Sequence, residues 1–140
     1  MKNLLEKLNY KGQKRIAVIN AEEAFISLIR SEIDAIVIDQ KIDPRYPYEF
    51  AMIFVKNVSD VELHAPMTLH NLKADGILWF CYPKKTSKKY KSDIDRDHGW
   101  ELLEDSGLFG IRLVAIDKDW SALRFRNKKF IKSTHPKFSK

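Results

Sequence analysis

Four short apolar runs, rich in β-branched and aromatic residues and separated by stretches with helical periodicity, constrain the fold most. They are Arg15–Ile19 (R-I-A-V-I), Asp34–Asp39 (D-A-I-V-I-D), Phe50–Lys56 (F-A-M-I-F-V-K) and Ile77–Tyr82 (I-L-W-F-C-Y). Each has the length of a strand, and none alternates cleanly with polar residues. Such a run suits a strand covered on both faces, as in a parallel sheet sandwiched by helices.

The intervening segments supply those helices. Leu4, Leu5 and Leu8 suit a short leading helix that Gly12 stops. After the first run, Asn20 reads as an N-cap with Glu23 three residues on, and Phe25, Leu28, Ile29 and Ile33 share one helical face. After the third, Ser59 and Glu62 spell a second capping box ahead of Val61, Ala65, Leu69 and Leu72, with Pro66 expected to break or kink that helix. Asp43–Pro47 and Asp75-Gly76 read as turns, and Pro83 ends the fourth run. Ser92 and Asp95 can cap a helix reaching Ser106, with Gly107 as its stop. Ile111–Ile116 reads as a fifth strand and Ser121–Arg126 as a sixth, joined by a Lys118-Asp119 turn into an antiparallel hairpin at the sheet edge.

The pattern predicts an α/β protein with a three-layer, Rossmann-like sheet of about six strands, mostly parallel with an antiparallel C-terminal hairpin. No internal repeat or linker divides it. Residues 1–127 are expected to form one domain and 128–140 a loose basic tail.

Function classes narrow by exclusion. No apolar run approaches the ~20 residues of a membrane helix, and Met1–Tyr10 mixes Lys and Glu among its leucines, unlike a secretory signal. Cys81, the only cysteine, can make neither an internal disulfide nor a cysteine metal cluster. A reducing, cytoplasmic setting is therefore expected. The histidines form no H-E-x-x-H pair, and no G-x-S-x-G elbow surrounds a serine. His98 reads as a packing residue on a helix, Cys81 as a buried inert thiol, and Asp117 with Asp119 as charges of a hairpin turn.

The net charge of +6 is unevenly placed. Lys84–Lys91 holds five lysines and no acid, and Arg124–Lys140 holds seven basic residues and no acid. The remaining 13 basic and 19 acidic residues leave the rest of the chain at −6. Ligands of such sheets sit beyond the C-terminal strand ends, which makes Asn20, Asp39, Lys56 and the lysine loop the candidate ligand-binding residues. In the loop these are Lys84, Lys85, Thr86, Ser87, Lys88 and Lys89, a mixture of cations and hydroxyls that suits an anionic ligand or nucleic acid, with the basic tail as an extension. The loop after the first strand, Asn20-Ala21-Glu22-Glu23, has no glycine to allow close approach, and its two carboxylates would repel a pyrophosphate. No cofactor is predicted on that ground. S-adenosylmethionine, which has no phosphates, stays open, with Asp39 either a ribose-binding acid or a strand-end turn residue.

Three stretches carry a family resemblance: L-L-E-K-L-N-Y-K-G-Q-K-R-I-A-V-I-N-A at Leu4–Ala21, W-F-C-Y-P-K-K-T-S at Trp79–Ser87 and A-I-D-K-D-W-S-A-L-R-F at Ala115–Phe125. The chain resembles a family of short bacterial proteins classed as a domain of unknown function. Members show W-x-x-x-P-K-K and I-D-x-x-W-S-x-L-R-F elements. The resemblance implies a fold similar to S-adenosylmethionine-dependent methyltransferases, shortened by one strand-helix unit, and no known activity. Glu22 stands where the family pattern has proline, and Lys88, Lys89 and Lys91 are additional to it. Taken together, the sequence favours a non-catalytic binding or scaffold protein with a basic face for an anionic partner. The alternatives are an S-adenosylmethionine-binding, methyltransferase-like enzyme and a nucleic-acid accessory protein.

Overall fold

The side chains of Arg15–Ile19 explain why the first strand, β1, lies inside the sheet and not at its edge. Its last four residues are fully buried. Ile16 and Val18 point into one apolar cluster and Ala17 and Ile19 into another, on the opposite face. The computed structural model describes residues 3–131. Around β1 run α1 (Leu4–Lys7), α2 (Glu23–Glu32), β2 (Val37–Asp39), β3 (Tyr48–Phe54), α3 (Val58–Asn71), β4 (Leu72–Pro83), α4 (Glu101–Asp105), β5 (Leu108–Ala115) and β6 (Trp120–Asn127). They form one six-stranded sheet in the order β2-β1-β3-β4-β6-β5. The first four strands in that order pair in parallel, and β6 pairs antiparallel with both β4 and β5. This is the expected architecture.

Helices cover both faces. Leu5 of α1 and Phe25, Ile26 and Ile29 of α2 bury against Ile16, Val18, Met52 and Trp79. Each such side chain contributes roughly 1.5–3 kcal/mol of burial. The Trp79 indole Nε1–H also donates to the Leu8 carbonyl at 2.8 Å, fastening the end of α1 to the sheet. On the other face, Val61 and Ala65 of α3 and Leu103 of α4 pack on Ala51, Ile53, Phe80 and Leu123. Among the described residues, no helix is long and apolar enough to cross a membrane.

Local departures have local causes. Helix α3 is capped by Asn57, whose Oδ1 accepts from the Asp60 N–H at 2.8 Å, so it starts before the Ser59–Glu62 box. It also runs through Pro66, which faces solvent and only removes the N–H that would meet the Glu62 carbonyl. Strand β2 is confined to Val37–Asp39, because Ala35 turns at φ 55°. Asp75, at φ 56°, makes an irregularity inside β4 rather than a turn before it. The helix expected over 92–106 shrinks to Glu101–Asp105. Residues 84–100 are held instead by side chain–backbone bonds such as Ser92 to Ile94 and Asp95 to Asp97. Gly107, at φ 83°, ends α4 as expected. Strand β5 begins at Leu108, and its register with β6 slips between Gly110 and Arg112, leaving Ile111 as an extra residue. Lys128–Phe130 form a 3-10 turn, and the rest of the expected basic tail, 132–140, lies outside the described residues.

Candidate functional site

The chain runs from β1 outward to β2, then returns to β3 on the other side of β1. That reversal creates a switch point at the C-terminal ends of β1 and β3, where sheets of this kind take ligands. Asn20 follows β1 there in the left-handed conformation, φ 64°, and its side-chain amide donates to the Phe54 carbonyl at 2.9 Å, tying the two strand ends together. Asn20 therefore does not cap α2; Glu22 holds that position and makes no side-chain cap bond.

The segment after β4 folds across this edge. Its backbone is anchored where the Lys84 N–H meets the Asp119 carbonyl (2.8 Å), and where Asp93 accepts from the Val58 N–H at the start of α3 (3.0 Å). Tyr90 is thereby laid over the switch point. An aromatic row, Phe25, Phe54, Trp120 and Tyr90, runs beneath and into it, with ring centroids 4.9, 5.0 and 5.1 Å apart in turn. Trp120 packs under the hairpin, as the turn formed by Asp117 requires: its carboxylate accepts from the N–H groups of Asp119 and Trp120.

Electrostatically the edge is mixed. The Lys56 ammonium stands 4.8 Å from the centroid of the Tyr90 ring and that of Lys89 5.2 Å away, both as cation–π contacts. Lys89 also lies 3.9 Å from Glu22. The Tyr90 phenol oxygen is sealed from solvent near Glu22 and Lys89, yet completes a hydrogen bond with no described residue. The Glu22 carboxylate beside the phenol pushes its pKa up, and burial adds to this.

The nine candidate residues thus separate into groups. Asn20, Lys56 and Lys89 converge at the switch point. Thr86, Lys88 and Lys89 line a shallow cavity of about 370 Å³ with Lys118 and Asp119. Lys85 is engaged by Asp95 at 3.1 Å, while Lys84 and Lys88 form no ion pair among the described residues. Ser87 is turned inward. Its hydroxyl donates to Asp119 (2.8 Å) and accepts from the N–H groups of Lys89 and Tyr90, so it organises the loop rather than offering a free donor. Asp39 lies apart. It pairs with Ala17, two residues short of the end of β1, and its Oδ2 accepts from Arg15 Nε (2.7 Å) and from the Tyr48 hydroxyl. The same carboxylate holds the Arg15 guanidinium above its ordinary pKa. Asp39, at the end of β2, clamps the starts of β1 and β3 through Arg15 and Tyr48.

Other expectations divide similarly. Cys81 is buried, and burial pushes its thiol well above the ordinary value. His98 is exposed and outside any helix, with Nδ1 2.8 Å from Asp95, so it is not a packing residue. Among the described residues, no three His, Cys, Asp or Glu side chains gather into a metal-holding group. Tyr90 and Glu22 were the residues hardest to place from sequence. The signal for Tyr90 is its position as the one aromatic within the lysine run.

No family model matches the chain, and no curated protein matches it in sequence. Solved structures do match. The fibrillarin/NOP5P complex aligns at a TM-score of 0.50 and 9% identity, over 84% of this chain and 74% of that one. The N-methyltransferase NodS from Bradyrhizobium japonicum WM9 aligns at 0.50 and 17%, over 81% and 74%. The same enzyme in complex with S-adenosyl-L-homocysteine aligns at 0.50 and 14%, over 82% and 67%. At these identities the likeness establishes the fold, a methyltransferase-like α/β Rossmann fold. It also corrects the expectation that no cofactor is to be predicted, because a matched structure is a complex with S-adenosyl-L-homocysteine. The physical reason is at Asn20. The expectation rested on the absence of glycine, but asparagine tolerates the left-handed backbone and supplies the turn that glycine would.

Proposed function

We propose that this chain binds S-adenosylmethionine at the switch point between β1 and β3, as a methyltransferase-like protein. The observation that carries the reading is the left-handed Asn20 turn at the end of β1, tied to the end of β3, with Tyr90 packed over the same edge through Trp120 and Phe54. The residues there fit the group. Asparagine tolerates the left-handed backbone, so the turn after β1 forms here without glycine. The Tyr90 ring already attracts a cation to its face, and a sulfonium is a cation. The Glu22 carboxylate suits a cationic ligand and not a pyrophosphate. When bound, the group supplies an activated methyl. Asn20 would present the turn, and Tyr90, backed by buried Trp120, would offer its aromatic face. Relative to the scaffold reading, the fold similarity and this edge favour adenosylmethionine binding.

The test is calorimetric titration with S-adenosylmethionine and S-adenosylhomocysteine, beside a nucleoside triphosphate. Saturable binding of the first two and none of the third is expected. A ligand at ~100 times its dissociation constant adds about 2.7 kcal/mol, visible as a rise of several degrees in the unfolding midpoint. Tyr90→Ala should weaken binding at least ~10-fold, a loss of about 1.4 kcal/mol. Absence of saturation with either adenosyl compound at millimolar concentration overturns the reading.

A second reading concerns the lysine loop. Lys84, Lys88 and Lys91 form no ion pair among the described residues, and Lys88 lines a cavity with Thr86 and Lys118. We infer an anionic partner for this loop. Replacing Lys84, Lys85, Lys88 and Lys89 with alanine should abolish polyanion binding. If that partner is a nucleic acid, affinity should fall with salt at a slope of about −0.7 to −0.9 per phosphate neutralised.

A further inference from the structure

The antiparallel register of β5 and β6 sets Arg112 directly opposite Arg124, and Arg126 follows two residues along, on the same face as Arg124. Like charges directly opposite one another destabilise a sheet. Arg126 is relieved: its Nε and Nη2 donate to the two Asp75 carboxylate oxygens, each at 2.7 Å. The other two are not. Neither Arg112 nor Arg124 forms an ion pair or a side-chain hydrogen bond with any described residue. The Nε of Arg124 is sealed from solvent with no acceptor. Leaving a charged donor buried and unmet is among the costlier defects a fold can carry. Burial above all, with Arg126 and Arg112 nearby, lowers the pKa of Arg124, against an opposing pull from Asp75.

We propose that Arg112 and Arg124 form a binding site for a phosphate group, free or as a monoester. The argument is one of charge and acceptor number. Arg112 and Arg124 stand at paired positions on adjacent strands, and a carboxylate has one negative charge and two oxygens to offer two such guanidinium forks. A phosphate dianion brings two charges and at least three oxygens, enough for both forks. With Nε of Arg124 closed off, a ligand would be met at its outer nitrogens, and the residue at the paired position, Arg112, is exposed. The site lies on β5–β6, away from Asn20 and Tyr90, and does not depend on adenosylmethionine binding.

The experiment is a titration of the full chain with inorganic phosphate and with phenyl phosphate at constant ionic strength, with chloride as control, followed by the unfolding midpoint. Both phosphates are expected to raise the midpoint saturably and chloride to leave it unmoved. A stronger response to phenyl phosphate identifies an esterified ligand, and a stronger response to the free ion identifies inorganic phosphate. Arg112→Gln, at an exposed position, should weaken either at least 10-fold while leaving the unliganded midpoint equal or higher, since a like-charge pair is removed. Arg112→Lys, which keeps the charge and loses the fork, should also weaken binding. Equal responses of the wild type to phosphate and chloride, or of Arg112→Gln and wild type to phosphate, overturn the proposal.

Discussion

Asn20 offers the sharpest test of how the switch point is built. It performs two tasks: it holds φ at 64°, and it donates to the Phe54 carbonyl at 2.9 Å. Replacing it with alanine removes both. The hydrogen bond is worth about 1 kcal/mol, and placing a Cβ residue without asparagine's tolerance in the left-handed region costs about another 1 kcal/mol. Asn20→Ala should therefore lose about 2 kcal/mol. Asn20→Gly loses the same bond but relieves the backbone, at some cost in unfolded-state entropy, and should lose only about 1 kcal/mol. In a chain of this size the alanine variant should unfold roughly 6 °C below wild type and the glycine variant roughly 3 °C below. Urea unfolding of all three proteins, with unchanged m-values, measures the difference. If alanine and glycine are equally destabilising, the left-handed turn is not what the site requires of residue 20, and the argument that asparagine replaces glycine there fails.

Pro66→Ala should stabilise the protein by about 2 kcal/mol, because an exposed proline inside α3 costs about 3 kcal/mol relative to alanine and repays part of this through the unfolded chain; a lower midpoint would show that the ring packs usefully. Trp79→Phe should cost about 2–3 kcal/mol by thinning the core and stranding the Leu8 carbonyl. Amide exchange should then rise first in α1, and uniform acceleration across the sheet would contradict that assignment. The carboxyls of Asp75, held down chiefly by Arg126, and of Asp95, held down chiefly by His98, have depressed pKa values. Their stabilisation is complete above the ordinary aspartate value of about 3.9 and is lost as pH falls through the lower folded values. Midpoints recorded from pH 6 to 2 should fall less steeply for Asp75→Asn than for wild type, and equal slopes would refute the contribution of that pair.

The fold was legible because burial on both faces leaves an unmistakable trace in runs such as Arg15–Ile19 and Ile77–Tyr82. Positions where two local solutions compete were not. Asn57–Asp60 and Ser59–Glu62 both spell a cap, and only the docking of α3 against Asp93 and the sheet selects the first. Asn20 is equally suited to an N-cap and a left-handed turn, and the carbonyl that decides between them lies on Phe54, 34 residues away. The stretch from Ser92 onward looked helical. Gly99 at φ 103°, with Ile94 packed where its Cβ would stand, keeps it irregular. Of the site, the lysines were visible as composition, but the inward turn of Ser87 and the capture of Asp39 by Arg15 and Tyr48 are tertiary events. The paired arginines follow from the hairpin register that runs unbroken from Ala115–Ser121 to Arg112–Arg124, whereas Asp75, which relieves only Arg126, comes from a distant irregularity in β4.

The two outermost strands bear on how this molecule meets its own copies. A sheet that ends in a long, flat strand offers a row of unpaired amides and carbonyls on which another chain can continue the ladder. Here one margin is β2, three residues long, and the other is β5, bent at Ile111 and carrying the unneutralised charge of Arg112 just past the bend. An approaching strand finds too few rungs on the first side and a crooked, positively charged rail on the second. The guanidinium groups that invite an anion onto the sheet thus also discourage a second sheet from docking edge to edge. A bound phosphate, by neutralising them, would remove the electrostatic half of that guard and leave the bend to act alone.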